Sequence, residues 1–112
     1  MLQSQKPVPE HLQDFLDWLE IERNMSSKSQ ENYARFIKRF FEWLKKNNLG
    51  DLKPHELTAD HVWKYRVYLS RQLVRKSNLP LNKYTQKYYL IALRSLLRYF
   101  ADRDIASLPT EK

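Results

Sequence analysis

Six cations fall into two matching sets, Lys28, Arg35 and Arg39 in one stretch and Lys87, Arg94 and Arg98 in another, each spaced i, i+7, i+11. On an α-helix each residue advances about 100° around the axis, so this spacing gathers three positive charges into a narrow stripe. Asn32 lies beside the first stripe and Lys46 extends it, while Lys83 stands one turn before the second. A stripe of one sign suits a polyanion, because each phosphate it neutralises releases condensed counterions. The plainer alternative is a solvated helix face opposite an apolar core. That alternative predicts mixed signs, and both stripes are free of acids.

Other chemistries have little to work with. The chain has no cysteine, which removes disulfides, thiolate nucleophiles and cysteine zinc sites and fits a reducing cytoplasm. His11, His55 and His61 have no ligand spacing, since none pairs with another at i+4, so no metal and no cofactor is expected. No apolar run approaches the roughly 20 residues of a membrane span, and Met1 to Glu10 lacks the apolar core of a signal peptide. Nothing points to a small-molecule substrate or a membrane partner.

The elements that must carry the stripes are helical. One glycine and few β-branched residues in 112 argue for long helices, and a 42% hydrophobic content allows one packed core. Leu12, Phe15, Leu16 and Leu19 repeat at i, i+3, i+4, i+7 and predict a first helix from about Glu10 to Asn24, following Pro9. Ser26 or Ser27 can cap a second helix, and Ser27 with Gln30 has capping-box spacing. Tyr33, Phe36, Ile37, Phe40 and Leu44 form its apolar stripe, and Asn47-Asn48-Leu49-Gly50 ends it with residues that tolerate left-handed backbone. After Pro54, Thr58 is the expected cap of a third helix carrying Val62, Tyr65, Leu69 and Leu73 to about Arg75, broken by Asn78-Leu79-Pro80. Asn82 then caps a fourth with Tyr89, Leu93, Leu96 and Phe100. Trp18, Trp43 and Trp63 are expected to pack, and Tyr84 and Tyr88 to lie on the surface. Ile105 to Lys112 has no periodicity and reads as a linker, leaving 1–104 as the domain.

Charge is unevenly shared. Glu10 to Asn24 has one arginine against five acids, whereas Ser26–Asn48 has six bases against two acids and Thr58–Leu79 and Pro80–Arg103 each have five against one. The net +7 is therefore carried by the last three helices.

Two stretches carry a resemblance. Met25-Ser26-Ser27-Lys28-Ser29-Gln30-Glu31-Asn32-Tyr33 leads into Phe36 and Phe40, and Leu81-Asn82-Lys83-Tyr84-Thr85-Gln86-Lys87 leads through Ala92-Leu93-Arg94 to Phe100. Both resemble the N-terminal core-binding, or SAM-like, domain of tyrosine site-specific recombinases, the group that includes phage integrases and Xer resolvases. Leu57-Thr58-Ala59-Asp60-His61-Val62 resembles the start of that domain's third helix. Ser29 stands where Thr is commoner, and Gln86 where an aliphatic residue is usual. The resemblance implies an all-α, compact four-helix bundle with orthogonally packed helix pairs, followed by a short C-terminal linker. It implies half of a C-shaped clamp on double-stranded DNA, in an assembly with other recombinase protomers. Lys28, Ser29, Asn32 and Arg35 would face the duplex from the second helix, and Lys83, Thr85, Gln86, Lys87 and Arg94 from the fourth, with Arg39 and Arg98 completing the stripes.

The family's catalytic Arg, His-x-x-Arg and Tyr motifs have no match here, since His61-Val62-Trp63-Lys64 has Lys in place of Arg. The chain is therefore expected to grip DNA without cutting it, as a piece of a longer recombinase in which the end near Lys112 falls within the interdomain linker. The lack of an arm-binding extension before Pro9 tilts the expectation toward a Xer-like role. Two rival readings stay open: a free-standing helical regulator, against which the long breaks and long helices count, and a helical protein-interaction module that would dock through residues such as Trp43 or Ile91.

Overall fold

The computed structural model describes residues 1–72 and 81–110. Leu73 to Arg75, expected to finish the third helix, and the break at Asn78-Leu79-Pro80 lie outside them, as does Lys112. Among the described residues the elements are four α-helices, α1 (Leu12–Ile21), α2 (Ser27–Lys46), α3 (Ala59–Ser70) and α4 (Lys83–Asp102), with short 3-10 turns at Val8–His11 and Pro54–Glu56. No strand is present among them, and no helix is long and apolar enough to cross a membrane.

The first helix is shorter than its apolar period suggested. Pro9 lies inside a 3-10 turn, Val8–His11, so α1 begins only at Leu12 and ends at Ile21 rather than Asn24. Its end follows a pattern that three helices share. Asn24, Asn48 and Asp104 take φ of 50°, 60° and 59°. The next residue's amide then reaches back into the helix, Met25 to Leu19 O, Leu49 to Leu44 O and Ile105 to Phe100 O. Left-handed Asn or Asp thus stops α1, α2 and α4, and the following apolar residue (Met25, Leu49, Ile105) turns inward onto the core.

The helix starts are equally regular. Ser26 caps α2 by accepting from Ser29 N at 3.2 Å, and Asn82 caps α4 by accepting from Thr85 N at 2.8 Å. Gln30 and Gln86 sit one residue further on, and their amide nitrogens donate to Met25 O and Leu81 O. The Ser27–Gln30 capping box therefore does not form, because Ser26 is the cap and Gln30 bonds backward instead. Both helices run 20 residues, the second repeating the first 56 positions later (Ser27 to Lys83, Lys46 to Asp102). Thr58 caps α3 in a box with His61, whose Nδ1 accepts from Thr58 N at 3.0 Å. That bond requires an unprotonated Nδ1 and gives His61 a structural role.

Helical spacing on α2 buries Ile37, Phe40, Phe41 and Leu44, and on α4 buries Leu93, Leu96, Leu97 and Phe100. Among the described residues these two helices share the most extensive contact. Phe40 meets Tyr65 of α3 edge-on at 4.9 Å, while Phe15, Trp18 and Tyr99 cluster between α1 and α4. Each such buried aromatic or aliphatic side chain contributes roughly 1.5–3 kcal/mol. Trp63 departs from the packing expected of it and is 59% exposed, because it lies about 200° around α3 from the buried Tyr65.

The stretch after α4 is seated on the domain. Leu2 N donates to Asp104 O and Ala106 N to Leu2 O, an isolated parallel bridge between Leu2 and Ile105. Ile105 and Leu108 pack against the core.

Candidate nucleic-acid interface

Because α2 and α4 start alike and pack side by side, their N-terminal halves build one surface. Ser29, Asn32, Tyr33 and Phe36 of α2 line a cleft with Tyr88 and Ile91 of α4. Its floor is aromatic: Phe36 stacks on Tyr88 with centroids 6.0 Å apart and planes 19° apart, and meets Tyr89 edge-on at 5.2 Å. Ser29 Oγ is held by Ser26 Oγ at 3.2 Å. The carboxamide of Asn32 makes no hydrogen bond among the described residues. The neighbouring Tyr84 phenol, its ring edge-on to Tyr88 at 5.4 Å, raises the Tyr88 phenol above its ordinary pKa.

Ile91 also lines a second, polar depression with Arg23, Arg94, Ser95, Arg98 and Thr110. Three guanidinium groups surround it, and among the described residues no acid does. Arg94 faces a third recess as well, where Arg66 of α3 joins it and Thr110 again forms part of the wall. The tail after α4 therefore runs back along that helix beside its basic stripe.

The residues singled out from sequence distribute as follows. Lys28, Arg35, Lys83, Lys87, Arg94 and Arg98 are exposed, and Ser29, Asn32, Arg39, Thr85 and Gln86 are half-buried. Ser29 and Asn32 share the apolar cleft, and Arg94 and Arg98 share the basic depression. Two arginines of α2 lie over aromatic rings, Arg35 at 4.9 Å from Phe36 and Arg39 at 4.9 Å from Tyr89. Such cation–π contacts hold a guanidinium in place while leaving N–H groups to donate. Lys28 lies 3.8 Å from Glu31, an exposed i, i+3 pair worth little in water. Gln86 spends its amide N–H on Leu81 O, and Thr85 supplies its backbone N–H to the cap. Lys83 and Lys87 line neither depression.

Sequence reasoning missed Arg23, the lone base of an acidic segment. The turn at Asn24 brings it to α4, with its guanidinium 5.8 Å from the Trp18 ring. No residue pattern along the chain announces that placement. Phe36 was read as core, yet it is half-buried and floors the cleft. No cluster of three or more His, Asp or Glu that could hold a metal occurs among the described residues.

The arrangement offers donors for phosphate oxygens on one side and, beside them, an uncharged cleft with one free carboxamide. Comparison with curated proteins and with solved structures gave no match. A family model for the phage integrase N-terminal SAM-like domain matches residues 11–107. That match spans all four helices and most of the chain, so the chain belongs to the phage integrase N-terminal SAM-like domains, the N-terminal domains of tyrosine recombinases.

Proposed function

We propose that this chain binds double-stranded DNA as the N-terminal half of a recombinase clamp, positioning the duplex for a catalytic domain elsewhere in the parent protein. The observation that carries this reading is the meeting, at Ile91, of the Asn32 cleft and the depression formed by Arg23, Arg94 and Arg98. Phosphates take the arginine side, where N–H donors and positive charge coincide, and base edges take the cleft. Lys28 and Lys83 stand in the first turns of α2 and α4, where free backbone N–H groups add to their charge. Lys87 extends the positive surface along α4. The chain holds and orients DNA, and strand cleavage belongs to residues it does not supply. The parent acts in the cytoplasm on the nucleoid.

Titration of a labelled duplex across a salt series tests the reading. The logarithm of affinity should fall linearly with the logarithm of salt, with a slope of about −0.9 for each phosphate neutralised. Absent binding at low salt, or binding indifferent to salt, would overturn it. The exposed Trp63, with Arg66 lying 5.8 Å from its ring, supports a protein contact as well. In this reading that partner is another recombinase protomer, and the contact adds to the DNA grip.

A further inference from the structure

The cleft between α2 and α4 suits a phosphate less well than the arginine depression beside it. Among the described residues none of the side chains lining the cleft is charged, and its floor is the stacked pair Phe36 and Tyr88 with Ile91 at the edge. An anion placed there would find neutral donors such as Ser29 and Asn32, whereas the neighbouring depression offers it three guanidinium groups. Yet the cleft is set among cations: Arg35 lies over its floor ring, and Arg94 begins just beyond Ile91. A duplex whose phosphates take those charges can therefore set an apolar group on the cleft floor.

In the major groove the one apolar group on a base edge is the thymine 5-methyl, and its partner adenine offers the N6 and N7 pattern that a carboxamide matches with two hydrogen bonds. Asn32 sits in the same cleft with its carboxamide unused among the described residues. We infer that the Phe36–Tyr88–Ile91 floor and Asn32 together select an A·T step at the point where α2 and α4 meet DNA. Thymine methyls pack on the floor, and Asn32 bonds the adenine beside them. The inference rests on the DNA-binding reading and deepens it, by dividing one surface into a phosphate-holding part and a sequence-reading part.

The test begins by selecting preferred duplexes from a randomised pool at low salt, then replacing each selected thymine by deoxyuridine, which removes only the methyl. Burial of one methyl-sized group corresponds to about a fourfold change in affinity. Each contacted thymine should lose about that factor, and Ile91→Ala should bring the thymine-to-uracil ratio near one. Asn32→Ala should relax the preference for adenine at the adjacent position. Helicity of both variants, read by circular dichroism, shows that the fold persists. Salt-dependent duplex binding with no selected A·T step, or with equal affinity for thymine and uracil duplexes, overturns the base-reading inference and leaves the grip intact. Absence of duplex binding at low salt overturns both.

Discussion

The indole Nε1 of Trp18 donates to Oδ2 of Asp102 at 2.7 Å, tying α1 to the last turn of α4 across 84 residues of sequence. An acid in a last turn opposes the helix dipole, so Asp102 is there at some cost to α4 itself. The buried indole explains it, since an unmade bond at Trp18 would strand a donor in the interface between the two helices. Asp102→Ala should lower the unfolding free energy by about 1–2 kcal/mol, and Asp102→Asn should restore most of that loss. Urea denaturation measures both, and an alanine variant as stable as the parent would mean the bond contributes nothing net.

Arg23, Arg94 and Arg98 converge on one depression from the turn after α1 and from α4. Replacing any of them by Ala should weaken duplex binding and reduce the steepness of its salt dependence by about one unit, with helicity unchanged. Arg23 is the most discriminating of the three. It belongs to the acidic segment, so charge along the sequence predicts no effect, whereas its place beside α4 predicts one as large as for Arg94.

Tyr65 is fully buried, and its hydroxyl has no hydrogen-bond partner among the described residues. Burial is the main cause that raises its pKa well above the ordinary phenol value, so the group stays protonated throughout the useful pH range. A buried hydroxyl without a partner costs free energy that its ring does not. Tyr65→Phe should keep the edge-on contact with Phe40 and give a protein of equal or higher thermal stability. A clear fall in melting temperature would reveal a bond made by that oxygen.

His11 lies buried against Phe100, ring centroids 5.1 Å apart, with Nε2 3.0 Å from Ser4 Oγ. Burial, and then the charge of Lys6, lowers its pKa below the ordinary 6.5, while Asp14 and Glu10 pull the other way. The unfolded chain thus takes up this proton at higher pH than the folded one. Stability from the neutral ring is fully present above 6.5 and is lost progressively as pH falls below that value toward the folded pKa. Stability measured from pH 7 down to pH 5 should decline less steeply in His11→Phe than in the parent, the other titrating groups being common to both. Equal slopes would remove His11 as a contributor.

Much of α2 and α4 is legible in the sequence, because each carries a cap, a long apolar period and an opposing basic stripe that agree with one another. Ser26, Thr58 and Asn82 cap where their side chains suggested. What escaped the sequence was decided by tertiary placement. Pro9 moved the start of α1 by favouring a 3-10 turn, which apolar spacing does not register. Trp63 looked like core by residue type, although two positions from Tyr65 is nearly opposite on a helix. Phe36 belongs to the apolar stripe, but α4 leaves it half-covered by setting the flat ring of Tyr88 over it. The seating of Ile105 on Leu2 is backbone pairing, and backbone pairing leaves no mark in side-chain periodicity.

The Leu2–Ile105 bridge has a mechanical consequence. The two segments run in the same direction, so tension between residues near the two ends of the domain loads the bonds at Leu2 N and Leu2 O in shear. They must then give way together, where a peeling geometry would release them one at a time. Until they do, the force passes through this seam and bypasses α1 to α4, so a tug between the two ends strains two hydrogen bonds before it disturbs the helices that carry the basic stripes.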